Sequence, residues 1–312
     1  MIIRPVQPQT DLPRIVELVN TYEPEPISLA PVQRWCERVA PGRIIHMIVA
    51  LDTQEKISGY CEVFHETWFH PGEFQIWVVV DPAKHKTGIG SLLYDAAQSF
   101  VRTQEVTSLK SETRENCPDG LRFAQKRGFS IERHHFESTL DLIAFEESPF
   151  LPEIESLHES GIEIHSLAVF GDCQTARKKL YEVNYATAMD IPGVTGWVSF
   201  EEFEATVCVS EWYRPEGQFA ALDGENFIGL SAVKLMPENR GAYNLMTGVL
   251  PAYRGRKIAL ALKLAAIRYA KQHGAAYMRT NNDSQNPAIL ALNEKLGYRP
   301  EPGKYLLRNT ME

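Results

Sequence analysis

The sequence predicts two tandem α+β domains, each a mixed, mostly antiparallel sheet flanked by helices. Three observations carry this. A strand-turn-helix segment occurs twice: Val80-Asp81-Pro82-Ala83-Lys84-His85-Lys86-Thr87-Gly88-Ile89-Gly90 returns without a gap as Val249-Leu250-Pro251-Ala252-Tyr253-Arg254-Gly255-Arg256-Lys257-Ile258-Ala259. The register persists, because Pro82 to Gly128 and Pro251 to Gly297 both span 46 positions, so one shift of 169 (82 to 251) superimposes them. Leu93/Leu262, Ala96/Ala265, Ala97/Ala266, Leu121/Leu290 and Lys126/Lys295 coincide under that shift. Finally, the apolar periodicities around the two copies follow one order of elements, as repeats of a single folding unit do.

In that order, residues 2–5 read as a strand, and Asp11-Leu12-Pro13 opens a helix with an N-cap acid and an early proline. A second helix is expected over 31–39. Strands over 43–51, 56–64 and 73–80, separated by turn chemistry at Asp52-Thr53 and His70-Pro71-Gly72, form a meander feeding the first copy. After it, Leu92, Leu93, Ala96, Ala97 and Phe100 mark a helix face. A strand over 108–112, a helix over 119–127 and one or two closing strands over 129–142 complete the half. The second half repeats the plan: a strand over 162–164, helices over 172–189 and 199–209, and strands over 218–222, 226–234 and 242–249. A helix over 255–273, a strand over 276–280, a helix over 287–296 and a last strand over 304–308 follow. The acidic, proline-punctuated stretch 145–153 sets the boundary near 150, giving domains 1–150 and 151–312, with the residues up to Gly161 open between linker and second domain.

Composition bounds the function. A chain of 312 residues, 44% apolar, can bury two cores of roughly 150 residues each. A net charge of −8 argues against nucleic-acid or anionic-membrane binding, which needs a Lys and Arg surplus, and reads mostly as solubility. Cys36, Cys61, Cys117, Cys173 and Cys208 are odd in number, scattered and without a Cys-x-x-Cys pair, which implies a reduced, cytoplasmic setting. No signal peptide is expected from Met1-Ile2-Ile3-Arg4-Pro5, and no apolar run approaches the ~20 residues that cross a bilayer. The nine histidines form no metal-ligand spacing, so no metal is expected.

The repeated turn is a phosphate cradle. Unpaired backbone N–H groups and the positive end of a helix dipole converge where a glycine-rich turn opens a helix. A dinucleotide fold does not fit, since the turn follows several antiparallel strands instead of the first strand of a parallel unit. The residues resemble the GNAT superfamily of acyl-CoA-dependent N-acyltransferases, present twice as in its tandem members. The core of the resemblance is the (Gln/Arg)-x-x-Gly-x-(Gly/Ala) turn. It stands as His85-Lys86-Thr87-Gly88-Ile89-Gly90 in domain 1 and as Arg254-Gly255-Arg256-Lys257-Ile258-Ala259 in domain 2, with Lys257 where the middle glycine is usual. The second signature, Thr-x-Asn-x-x-x-Asn followed by Leu-Gly-(Phe/Tyr), is nearly whole in domain 2 at Thr280, Asn282, Asn286 and Leu296-Gly297-Tyr298. Domain 1 has Ser111, Thr113, Cys117 and Arg127-Gly128-Phe129 in those places.

The resemblance implies acetyl-CoA as cofactor and a small-molecule amine as acceptor. Its pyrophosphate would lie on the turns, with Lys86, Arg254, Arg256 and Lys257 adding charge, and its pantetheine along Val78 to Val80 or Thr247 to Val249. Asn282 and Asn286 would handle the acyl group, which points to catalysis in the C-terminal domain. For Asn282, Ser284 and, less so, Asn286, a turn capping the next helix is the alternative reading. Many relatives place a proton-donating Tyr seven residues after the last Asn; here Asn293 and Ala124 stand there, and neither can serve. Glu73 is a candidate base, or else a charge at a strand edge; in domain 2 that strand offers Tyr243 and Asn244 instead. Acceptor pockets would be shaped by residues 23–35 and 191–213. A rival reading is a catalytically silent acyl-CoA-binding or regulatory protein.

Overall fold

A computed structural model describes every residue except Pro24, Glu25, Trp68, Thr195 and Glu312. The first half of the chain runs β1 (Ile2–Pro5), α1 (Pro8–Asn20), α2 (Leu29–Glu37), β2 (Ile44–Leu51), β3 (Ile57–His65), β4 (Glu73–Val80), α3 (Ile89–Val101), β5 (Ser108–Arg114), α4 (Pro118–Gln125) and β6 (Ser130–Asp141). The second runs α5 (Leu151–Glu159), β7 (Ile162–Ser166), α6 (Gln174–Ala188), α7 (Phe200–Thr206), β8 (Gln218–Asp223), β9 (Asn226–Met236) and β10 (Gly241–Val249). It ends with α8 (Ile258–Gln272), β11 (Tyr277–Asp283), α9 (Pro287–Leu296), β12 (Arg299–Pro300) and β13 (Lys304–Thr310).

The elements expected from sequence are present, with ends displaced by a few residues, and the undecided stretch after 150 is the helix α5. The chain forms two compact units: Met1–Arg133 with the segment from Lys304 onward, and His134–Gly303. In unit 1 the sheet order is β1-β2-β3-β4-β5-β13, with β4 and β5 parallel and the other pairs antiparallel. In unit 2 it is β7-β8-β9-β10-β11-β6, with β10 and β11 parallel. The division therefore falls inside β6, not near 150. The closing strand of each unit comes from the other half of the sequence: β13 runs antiparallel to β5 from Lys304↔Arg114 to Thr310↔Ser108, and β6 runs antiparallel to β11 from Asp141↔Tyr277 to His135↔Asp283.

Strand alternation builds two cores in each unit. In unit 1, Val49, Leu51 and Tyr60 meet Leu12, Ile15 and Leu18 of α1, while Ile48, Ala50, Cys61 and Val63 meet Ile89, Leu93 and Ala97 of α3. In unit 2, α6 and α7 cover one face, and α5, α8 and α9 the other. Leu93 and Leu262 do more than fill a helix. A Cβ on Gly59 would meet Leu93 at 2.8 Å and one on Gly229 would meet Leu262 at 3.0 Å, so helix and sheet approach most closely at the same point in both units.

Candidate active site

Each unit contains a fork. The β4–β5 ladder pairs only from Glu73↔Ser108 to Gln75↔Lys110, and the β10–β11 ladder only from Gly241↔Tyr277 to Asn244↔Thr280. Beyond those points the parallel strands part, and the edges Ile76 to Val80 and Leu245 to Val249 have no ladder partner on that side among the described residues. A hydroxyl closes each apex: Ser111 Oγ donates to the Ile76 carbonyl (2.8 Å), and Thr280 Oγ1 to the Asn244 carbonyl (3.0 Å).

Each open edge leads to the repeated turn, and the two turns share one backbone path. Lys86 (φ 62°) and Gly88 (φ 91°) are left-handed in unit 1; Gly255 (φ 77°) and Lys257 (φ 66°) are left-handed at the matching positions in unit 2. Each loop thus spends one glycine and one lysine on the same two conformations, with the order exchanged. Lys257 keeps the geometry at a strain of about 1–2 kcal/mol. Neither α3 nor α8 has a side-chain cap, so the first-turn N–H groups at Ile89-Gly90 and Ile258-Ala259 are open to an anion. The pantetheine-length edge and the uncapped cradle fit the coenzyme that the sequence implies.

The basic residues divide by role. His85 Nε2 contacts Tyr22 Oη (2.6 Å), which itself donates to the Val80 carbonyl (2.6 Å); Arg254 Nε donates to the Val249 carbonyl (3.0 Å) and the guanidinium pairs with Asp190. These two hold the strand end. Thr87 Oγ1 donates to the Lys84 carbonyl (2.7 Å), fastening the loop. Lys86 pairs with Asp119 (3.3 Å), whereas Arg256 and Lys257 have no carboxylate partner among the described residues and face a groove with Glu153, Ser156 and Ser160 of α5 and the turn after it. The free cations are in unit 2.

The forks differ most at their apex. In unit 2 the β9–β10 register shifts between Asn244 and Met246, leaving Leu245 outside the ladder, while β3–β4 pairs continuously from Gly59↔Val80 to Phe64↔Gln75. Such a bulge turns backbone groups out of the sheet. Asn244, 1% exposed, pins it: its Nδ2 donates to Ser231 Oγ (2.9 Å), the Ala232 carbonyl (3.2 Å) and the Met246 carbonyl (3.1 Å), and its Oδ1 accepts from Thr247 Oγ1 (3.0 Å) and Lys263 Nζ (2.8 Å). The matching unit 1 positions hold Gln75, Val78 and Tyr94.

The asparagines of the second signature act as scaffold. Asn282 donates to Ser138 Oγ (2.8 Å) and accepts from Asn293 Nδ2 (2.7 Å); Asn286 caps α9 by accepting from Ile289 N (3.4 Å). Glu73, 4% exposed, is committed to Lys110 (2.5 Å) and Arg308 (3.3 Å), so its carboxylate ties β4 to β5 and β13 and is not a solvated strand-edge charge. Sequence reasoning noted Asn244 only as a polar group offered by its strand, and passed over the bulge and Lys263. The signal for Lys263 was a lone cation inside the apolar run Ile258-Ala259-Leu260-Ala261-Leu262-Lys263-Leu264. Of the stretches expected to shape acceptor pockets, Pro24, Glu25 and Thr195 lie outside the described residues. Among those described, no cluster of three His, Cys, Asp or Glu is placed to hold a metal, and no helix is long and apolar enough to cross a membrane.

On the α1 face of unit 1, Glu62 is 3% exposed, accepts from Tyr60 Oη, and burial pushes its carboxyl up to about 7. The folded state then holds a proton that the unfolded chain releases near pH 4.5, so stability is greatest at low pH and falls as pH rises through about 7. Glu62→Gln is expected to match wild type at pH 4 and to exceed it at pH 8 by up to about 3 kcal/mol, read by denaturant unfolding. Identical curves at both pH values would contradict this.

A family model described as "Acetyltransferase (GNAT) family" matches residues 12–129 and 188–298, once in each half. Mycothiol acetyltransferase of Rhodococcus erythropolis is 26% identical over 279 residues, covering 86% of both chains. A GCN5-related N-acetyltransferase from Sphaerobacter thermophilus shares the fold at TM-score 0.67 and 18% identity, over 99% of this chain and 95% of that one. A tandem GNAT protein from the clavulanic acid biosynthesis pathway does so at TM-score 0.66 and 16% identity, over 99% and 98%. Two forked sheets, each opening onto an uncapped cradle, are thus the two domains of a chain that belongs to the GNAT acetyltransferase family.

Proposed function

We propose that unit 2 transfers an acetyl group from acetyl-CoA to an amine of a small molecule, and that unit 1 keeps the form of a cofactor binder without the equipment for transfer. The observation that carries this is the bulge at Leu245, which exists in one fork only. When bound, acetyl-CoA supplies an acetyl group activated as a thioester. The N–H groups of Ile258 and Ala259 with Arg256 and Lys257 would hold its pyrophosphate, and the open edge from Thr247 to Val249 its pantetheine amides. A backbone N–H freed by the bulge is a fixed dipole for the oxyanion that forms during acyl transfer, and needs no reorganisation at that moment.

The acceptor would approach from the sheet face opposite α8 and α9. By strand alternation Tyr243, Arg279, Asp283, Glu137 and His135 share that face. Glu137 accepts from Tyr243 Oη (2.8 Å), and Asp283 meets His135 Nε2 (2.7 Å), so two carboxylates border the approach of an ammonium. The likeness to mycothiol acetyltransferases favours a small-molecule acceptor. For unit 1 the unbroken ladder and the Lys86–Asp119 pair favour silent acyl-CoA binding.

The test is thiol release from acetyl-CoA across amino acids, aminothiols, amino sugars and polyamines. At least one class is expected to release thiol in step with its acetylated product. Acetyl-CoA binding without release from any amine would favour the silent, regulatory reading instead.

A further inference from the structure

One buried titratable group of unit 2 has no task in that scheme. Lys263 is 1% exposed and the largest fully buried side chain among the described residues. Its Nζ donates to Asn244 Oδ1 and lies 5.0 Å from the Tyr298 ring centroid. An ammonium has three donors, and a buried one ordinarily has a carboxylate partner. Lys263 has none among the described residues, and burial alone pushes its amine down to about 7.

Two more buried polar atoms lack partners in the same interior: Asn293 Oδ1 and Tyr298 Oη. Orphaned buried groups are rare, and these are connected to one another. Asn293 donates to Asn282, Asn282 Nδ2 reaches the Thr280 carbonyl (3.4 Å), and the Thr280 hydroxyl donates to the carbonyl of Asn244, the residue that Lys263 holds. This chain joins Asn293 and Lys263 to the apex of the fork, where the open edge ends, with the Tyr298 ring beside Lys263. At the matching positions unit 1 carries Tyr94, Ala124 and Phe129. The polar side chains of this interior are Ser138 from β6, Ser231 from β9, Asn244 and Thr247 from β10, Thr280 and Asn282 from β11, Asn293 from α9, and Tyr298. Of these only Tyr298 titrates, and burial pushes its hydroxyl up.

We propose that Lys263 is the acid that hands a proton to the sulfur of coenzyme A in unit 2, an assignment that rests on the reading of unit 2 as the acetyl-transferring one. The acceptor nitrogen attacks the acetyl carbon and the C–N bond forms. The C–S bond breaks with its electron pair on sulfur, the Lys263 ammonium protonates that sulfur, the surplus proton on nitrogen passes to solvent, and solvent reprotonates the Lys263 amine. Asn293 occupies the place of the usual tyrosine and cannot supply that proton. Lys263 reaches the same interior from a different helix.

The test compares coenzyme A with desulfo-coenzyme A by calorimetry in the full chain at pH 7.5, for wild type, Lys263→Met and Lys263→Gln. A charge-assisted contact to sulfur gives wild type a preference for the thiol of about tenfold or more. Both variants are expected to bind desulfo-coenzyme A like wild type and to lose the preference. With an amine that turns over, their kcat is expected to fall ~10²-fold with little change in KM, and the decline of wild-type kcat above pH ~7 is expected to disappear. Either variant that folds, as judged by circular dichroism, decides the matter. A variant that keeps the sulfur preference overturns the assignment. A wild type that shows the preference but acetylates no amine overturns the functional reading and leaves Lys263 as a sulfur contact.

Discussion

Asn244→Leu is expected to lower kcat of the unit 2 reaction by ~10²–10³-fold and stability by about 3–5 kcal/mol. The side chain bonds Ser231, Ala232, Met246, Thr247 and Lys263 at once, and leucine has nearly its volume but no polar atom. Ser231 and Thr247 keep each other at 3.0 Å, but Lys263 is left as a buried amine without its acceptor. The loss that matters for rate is the bulge, because a strand relieved of its pin can re-pair and draw Leu245 back into the ladder. Steady-state kinetics beside a denaturant titration separate the two effects. Wild-type kcat in the folded variant would remove the bulge from the mechanism.

The second large effect is expected at the cradle of unit 2. Reversing both charges with Arg256→Glu and Lys257→Glu should weaken acetyl-CoA binding there by ~10²-fold or more, since each cation makes a charge-assisted contact to phosphate in a field already set by the helix dipole. Both side chains lack a carboxylate partner among the described residues, so the loss is not shared with an internal ion pair there. Calorimetric titration reads it as the disappearance of one binding event. An unchanged titration would move the pyrophosphate elsewhere.

The cradle was legible because backbone requirements leave a mark in sequence: two left-handed positions before a helix demand glycine or tolerate a strained residue, and both loops show the demand. What the sequence left open was whether Lys257 breaks the loop. The structure answers with an exchange, Lys86-x-Gly88 against Gly255-x-Lys257, in which each loop tolerates one strained lysine.

The strand exchange was not legible, because pairing partners are not a local property. β6 and β13 follow the same kind of helix and carry the same alternation, so either could close either sheet. The bulge was hidden for a related reason: one extra residue in β10 changes no periodicity strongly enough to see. The signature asparagines drew attention as chemical groups, yet Asn282 and Asn286 spend their amides on Ser138, Asn293 and the α9 cap. Asn244, whose side chain makes five hydrogen bonds around the bulge, showed in the sequence only as a polar group on its strand, because its partners are set by the bulge.

The central claim is that transfer takes place in the fork of unit 2. Its most direct test is thiol release with one productive amine at fixed acetyl-CoA, compared between the Arg256→Glu, Lys257→Glu double variant and Gly88→Val, which forces a β-branched residue into the left-handed backbone of the unit 1 cradle. The account predicts that the first loses ~10²-fold or more of turnover and the second stays within about threefold of wild type. The opposite pattern, with Gly88→Val silent and the double variant active, would contradict it.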